Sequence, residues 1–475
     1  MIKKSAIILM ILVLSLCLLA SCSDRGNNNT DNSGGYIEET GIFPPETDCL
    51  EDARNKAEKV LGKDFEDADL GGEEFILVIA DDTEIYMQAE QEKSYLRAVD
   101  IQSELISEQL RCNMIIKQPD YSVFLTEAKA AKNSGLFYAD LVCVPQKALG
   151  YMRANDMVAN LNSLYGDVFV EDYFDQNSKV QSSGNNSYYG IAGKGCVTPA
   201  SYGCVYFNKK LTDSYGITDS IYASVEDGSW TLDKMYEFRM LCNKDSEDNE
   251  DITVACASKS SNIVCELFGS SGMKYMETGL SVVPSVADNG ERFASFVNKM
   301  KSVFSDRTFV YGEDMMLYFE NGSSLFYIDT LENSDIIKGA YGLMPLPKFD
   351  ESQDRYYTFC NGNAKIFAVL NTNDHPQNVP MVLNAINDSA QIITEGWARD
   401  LLEYVLRDSK SYHIAKMIFE NASYDFAYMF GDDYQSVAQS TYIALDNAVV
   451  TKAGYTDSVN KQSARLKKDV AVIFP

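Results

Sequence analysis

Apolar and polar residues fall into blocks along this chain, and the blocks alternate between two periods. The run Glu74-Phe75-Ile76-Leu77-Val78-Ile79-Ala80 is almost wholly apolar, which predicts a buried strand. A short helical segment near Asp52 to Leu61 precedes it, and Leu96, Val99, Ile106 and Leu110 then recur at helical spacing. Cys112 to Ile116 reads as a strand, Tyr121 to Asn133 as a helix, Ala139 to Val144 as a strand and Gln146 to Asn155 as a helix. Strands alternating with helices over such intervals predict a βαβαβ unit and a mostly parallel sheet. Strand-like runs return at Gly203 to Asn208, Ser324 to Asp329, Tyr341 to Leu346 and Ala364 to Leu370, with helices between and after them. No repeat of about 20 to 50 residues is visible, so a solenoid is not expected.

The N-terminus breaks this pattern. Lys3 and Lys4 precede an apolar run from Ala6 to Ala20, interrupted only by Ser15, which has the layout of a secretory signal. The run is shorter than the roughly 20 residues a membrane-spanning helix needs. It ends in Leu19-Ala20-Ser21-Cys22. From Ser23 to about Asp48 the chain is rich in Asn, Gly, Ser, Asp and Pro and holds too little apolar surface to fold, so it reads as a flexible tether.

Of 475 residues, 45% are hydrophobic and 23% charged, ordinary values for a globular protein. Loss of Lys3 and Lys4 with the signal leaves 39 basic against 69 acidic residues, a formal charge of −30. Nucleic acid and anionic lipid surfaces need basic patches, so neither is an expected partner. Nine cysteines remain beyond Cys17 and Cys22, an odd number that cannot all pair. Cys112, Cys143, Cys204 and Cys256 sit in apolar runs as small hydrophobes, whereas Cys196 and Cys204 are a candidate disulfide. With no CxxC and only His375 and His413 as imidazoles, no metal site or cofactor is expected.

Several short motifs occur in order over some 400 residues. They are Gly71-Gly72-Glu73-Glu74-Phe75, Ala139-Asp140-Leu141-Val142, and Tyr202-Gly203-Cys204-Val205-Tyr206-Phe207-Asn208-Lys209. Then follow Ser229-Trp230-Thr231, Tyr341-Gly342-Leu343-Met344-Pro345-Leu346-Pro347-Lys348, Arg407-Asp408-Ser409 and Tyr424-Asp425-Phe426. In this order the chain resembles family 1 extracellular solute-binding proteins of carbohydrate ABC transporters, in their lipoprotein form. Leu19-Ala20-Ser21-Cys22 likewise looks like a lipobox, in which Cys22 is lipidated and becomes the mature N-terminus. Two acyl chains would anchor the protein stably where one would not. Lys234 departs from the family pattern, since an acidic residue often stands there, but Thr231 can still cap the helix.

The resemblance implies an α/β, two-lobed periplasmic-binding-protein-like fold of type II. Each lobe would be a mostly parallel sheet flanked by helices, with hinge crossings near Ser201, Gly362 and Asp408. Residues 1–21 would be the signal peptide and 22–70 the lipidated Cys, tether and short helix. Residues 71–201 and 363–408 would form one lobe, 202–362 and 409–475 the other. A monomer, bound to permease subunits of an ABC transporter and tied to the outer face of the cell membrane by its lipid, is what the family implies.

Ligands of open α/β sheets bind beyond the carboxyl ends of the strands. The first such loop carries Asp81 and Asp82, whose carboxylates can accept hydrogen bonds from sugar hydroxyls or serve a solvated loop or helix N-cap instead. The strand ending in Tyr327 and Asp329 delivers an aromatic and a carboxylate, which the resemblance places facing the cleft, with a core ring and a helix cap as the alternative. Of the two tryptophans, Trp230 precedes a capped helix and is expected to pack there. Trp397 can offer a flat face to a sugar ring. Tyr202 at the first crossing and Tyr424, Phe426 and Tyr428 late in the chain can complete an aromatic lining.

Enzyme chemistry finds little purchase here. His375 lies in the polar loop before Pro376, His413 has no convincing nucleophile, and GxxxxGK[ST] and GxGxxG are both missing. A surface glycoside hydrolase, needing only two carboxylates, a peptide- or polyamine-binding protein, and an adhesion lipoprotein stay open beside the expected capture of a small carbohydrate.

Overall fold

A computed structural model describes residues 46–80, 94–242, 252–331, 337–401, 406 and 408–430, with isolated positions 445, 449, 470, 471, 473 and 474. Asp81 and Asp82 lie outside the described residues, as does Cys22.

After helix α1 (Glu46–Asp64), strand β1 (Glu74–Ile79) opens the first sheet, followed by α2 (Ser94–Leu110), β2 (Asn113–Lys117), α3 (Tyr121–Ser134) and β3 (Leu141–Pro145). Each strand is short and apolar, and each following helix returns the chain to the same end, so β1 pairs in parallel with both β2 and β3. α3 stops at Gly135, whose φ of 64° is the left-handed conformation that glycine adopts without a Cβ penalty, and its N–H closes onto Ala131 and Lys132 carbonyls.

The second sheet contains β4 (Gly203–Asn208), β5 (Thr253–Ala257), β6 (Phe309–Tyr311), β7 (Ser324–Thr330) and β8 (Tyr341–Pro345), in the order β6-β5-β7-β4-β8. Here the expectation of a mostly parallel sheet needs correcting. β6 and β7 run parallel to β5, but β7 and β8 are both antiparallel to β4. The reason lies in the path of the chain. β4 carries it away from the crossing region and its two neighbours bring it back, so adjacent outgoing and returning strands must oppose one another. Helices α4 (Ser260–Ser270) and α5 (Gly290–Ser305) belong to this lobe. Trp230 is fully buried against Phe326 and donates its indole N–H to the Pro345 carbonyl at 2.8 Å, a packing role. Thr231 accepts the Lys234 N–H, capping the helix that follows.

The chain then returns to the first sheet as β9 (Lys365–Ala368), antiparallel to β3 at the sheet edge, and continues through α6 (Val379–Asp388) and α7 (Gln391–Leu401). α7 lies against α2 so closely that a Cβ on Gly396 would meet the Ala98 Cβ at 2.8 Å. Asp400, fully buried, accepts the Ser94 and Tyr95 N–H groups at 2.8 and 3.0 Å and so satisfies the start of α2. Helix α8 (Ser409–Glu420), the last long one among the described residues, belongs to the second sheet: Asp408 caps it and pairs with Lys209, and Ser411 Oγ accepts the Leu343 N–H.

All nine cysteines from Cys49 onward are free. The candidate Cys196–Cys204 disulfide is therefore absent, because Cys204 is held in β4 on the second sheet while Cys196 lies before the crossing. Among the described residues, no helix is long and apolar enough to cross a membrane.

Candidate ligand-binding site

Among the described residues the chain passes between the two sheets repeatedly, the segment after Ser423 returning to the first lobe where Phe430 packs on Gly150, and two of the passages run side by side. Tyr202 and Cys360 form an antiparallel bridge there, and the Asn361 N–H donates to the Ser201 carbonyl at 3.0 Å. Thr358–Phe359 pairs in parallel with Ala422–Ser423, which the chain reaches after its third passage through Asp408. The crossing strands thus hold one another, while each lobe keeps its own sheet.

Beyond the carboxyl end of β3, Gln146 and Lys147 turn toward this hinge. Gln146 Nε2 donates to the Asn361 and Cys360 carbonyls at 2.7 and 3.3 Å, and the Gln146 and Lys147 N–H groups reach the Ala364 and Gly362 carbonyls. A Cβ on Gly362 would rest in ordinary contact with the Lys147 side chain and the Tyr428 carbonyl, so the three lie side by side. Lys147, Asn361, Gly362, Asn363 and Tyr428 are all half-buried, so this floor is partly open to solvent. It combines an ammonium, two amides and a phenol, groups suited to hydroxyl-rich ligands.

Three polar atoms around the hinge are buried without a hydrogen-bond partner among the described residues: Gln146 Oε1, Ser201 Oγ and Glu266 Oε2. Gln146 was open to discovery by applying the strand-end rule to β3 as well as β1. Glu266 carries a different signal, a lone acid inside the apolar stretch Val264-Cys265-Glu266-Leu267-Phe268 of α4. Burial, and secondarily the nearby Asp329, push its carboxyl well above the usual range.

Tyr327 and Asp329 are brought together: two residues apart on one face of β7, they are joined by a hydrogen bond from the Tyr327 hydroxyl to Asp329 Oδ2 at 2.7 Å. Asp329 Oδ1 accepts the Thr330 N–H at 2.8 Å, and both side chains are buried. Tyr202 is buried at the hinge, with its hydroxyl accepting the Thr198 N–H. Tyr424 is buried nearby and donates its hydroxyl to the Lys365 carbonyl at 2.8 Å. Trp397 stands apart from all of these. It is 6% exposed and stacked on Tyr95 at 4.0 Å within the first lobe, so its indole has no open face in this structure.

No protein-family model matches the sequence, and no curated protein matches it. Solved structures do. The sugar-binding protein MalE from Xanthomonas citri superposes with a TM-score of 0.52 at 10% identity, covering 84% of this chain and 97% of its own. The cyclic α-maltosyl-1,6-maltose binding protein of Arthrobacter globiformis gives 0.51 at 12% identity over 85% and 100% of the two chains. The galacto-N-biose/lacto-N-biose I-binding protein of a Bifidobacterium longum ABC transporter, solved with lacto-N-biose, gives 0.50 at 11% identity over 85% and 98%.

The fold is that of a two-lobed solute-binding protein. In that fold the hinge floor from Gln146 to Lys147 and from Asn361 to Asn363 lies where the two lobes join.

Proposed function

We propose that this protein is an extracellular solute-binding lipoprotein that captures a mono- or oligosaccharide between its lobes and delivers it to the permease of an ABC transporter. The observation that carries this reading is the pair of separate sheets joined by hydrogen-bonded crossing strands. Such a hinge lets the lobes move as bodies, and a ligand touching both selects the closed arrangement. The similar structures named above are sugar-binding proteins, which supports a carbohydrate as the ligand. Within the cleft we assign contacts to Asp81 and Asp82 beyond β1 and to Lys147, Asn361 and Tyr428 on the floor. Cys22, by its lipobox setting, is the proposed membrane anchor.

A thermal-shift screen with mono- and oligosaccharides tests the reading, since a ligand that binds only the native state raises stability by mass action. At least one sugar should raise the melting temperature in a saturable manner. No response across a broad panel, with intact folded protein, would remove the carbohydrate assignment.

A further inference from the structure

A cavity of about 390 Å³ lies where α8 meets the helices of the first lobe. None of the strand-end or hinge-floor residues described above lines it. Tyr173 and Phe419 contribute aromatic surface, and Asp172, Asp388 and Glu420 contribute carboxylates. Asp172, Glu420 and the lining Lys194 are exposed and Asp388 is half-buried, while the other lining lysine, Lys416, is committed to Glu395 at 2.9 Å, so three carboxylates face one uncommitted lysine. The local balance is therefore acidic, and further acids stand close by. Asp388, Glu171, Asp64 and Asp172 all act on the Tyr173 hydroxyl, and burial together with Asp64 pushes the Asp388 carboxyl up to about 6 against the opposing pull of Lys63. Carboxylates crowded in this way gain from an incoming positive charge, and aromatic rings beside them attract cations through their π faces. The volume is within the usual range for small-ligand sites, roughly 300 to 1,000 Å³.

We propose that this cavity is a second ligand site, separate from the interlobe cleft, that takes an organic cation of the alkylamine or polyamine class. Its ammonium groups meet Asp388, Asp172 and Glu420, and its methylene chain lies along Tyr173 and Phe419. The proposal does not depend on the sugar reading, because the cavity and the hinge floor share no residue.

Titration calorimetry of the full chain with spermidine, without sugar, at neutral pH and physiological salt, tests it. One saturable site is expected. The double variant Asp388→Asn/Glu420→Gln should weaken it by about tenfold or more, the scale of losing charge-assisted contacts. The single variant Glu420→Gln, at an exposed position, should weaken it by a smaller factor and serves if the double variant does not fold. A charge-matched control, Glu104→Gln/Glu291→Gln, should leave binding as it was. Absence of saturable binding overturns the proposal. Equal weakening in control and cavity variants also overturns it, by showing general attraction to an acidic exterior, and unchanged binding in the cavity variants places the cation elsewhere.

Discussion

Tyr202 and Cys360 lie opposite one another in an antiparallel bridge, at the point where two of the crossing segments run side by side. Around that bridge the polar groups of the backbone are accounted for by side chains from other parts of the chain. β9 is the edge strand of the first sheet, and side chains reach the backbone of its first residue, Lys365. Thr198 Oγ takes the N–H at 3.2 Å, and the Tyr424 hydroxyl takes the carbonyl at 2.8 Å.

Tyr424→Phe removes that donor and takes a hydrogen bond from a buried carbonyl. The loss should be about 1 to 3 kcal/mol of stability. Urea unfolding checks it, and a variant as stable as the parent would mean that water or another group replaces the hydroxyl. Sugar affinity should change little, since the Tyr424 ring is buried and its hydroxyl points at β9.

Trp397→Ala should act on folding first. The indole fills the space between α7 and α2 against Tyr95, and truncating a buried Trp costs about 3 to 5 kcal/mol. Trp397→Phe should cost less, because a ring stays on Tyr95 and the indole N–H has no partner among the described residues to lose. Thermal unfolding of both variants gives the ranking.

Much of this fold is legible in the sequence, and what is not has physical causes. Apolar runs locate β1, β3, β4, β7, β8 and β9 to within a few residues, because strands buried on both faces need continuous apolar stretches. The short edge strand β6 lacks that signal. Strand direction in the second sheet is hidden too, since period and burial are the same for parallel and antiparallel neighbours. Aromatic residues mislead for a related reason. Tyr202, Tyr424 and Trp397 have the composition of a sugar platform, yet a ring with a hydroxyl or N–H serves equally well inside a lobe, and only packing distinguishes the two. Gln146 and Asn361 carry no pattern at all, because their importance comes from where the strands end.

Glu266 gives a pH signature whose sign follows from its burial. Its carboxyl is raised above the ordinary 4.5 in the native state, so the folded protein holds this proton where the unfolded chain has released it. The associated stability is fully present below the unfolded value and declines as pH rises from there toward the native one. Glu266→Gln, which cannot ionise, should flatten that decline. Urea unfolding of parent and variant from acid to neutral pH measures the difference, and parallel curves would show that another group dominates.

Membrane attachment rests on a single thiol in the proposed function. Cys22→Ser should abolish lipidation and move the protein from the membrane fraction to the medium. A variant that still sediments with membranes would place the anchor elsewhere.

The chemical class of the cleft ligand can be separated from that of the cavity beside α8 by salt. A neutral sugar on amides, a phenol and carboxylates makes contacts whose strength does not depend on long-range attraction, so its affinity should barely change with ionic strength. The chain carries a formal charge of −28, and any cation bound by it is drawn in partly by that field. Screening shortens the reach of the field from about 10 Å at 0.1 M salt to about 3 Å at 1 M, and cation affinity should fall accordingly. Calorimetry with the best sugar from the screen and with spermidine, each across this range, should therefore give a flat line and a falling one. Asn361→Ala and Lys147→Ala should weaken the sugar while sparing the cation, because they line the floor and not the cavity beside α8. If instead the cleft variants abolish spermidine binding and no sugar binds, the protein is an amine-binding member of the same fold, and the floor residues recognise ammonium groups.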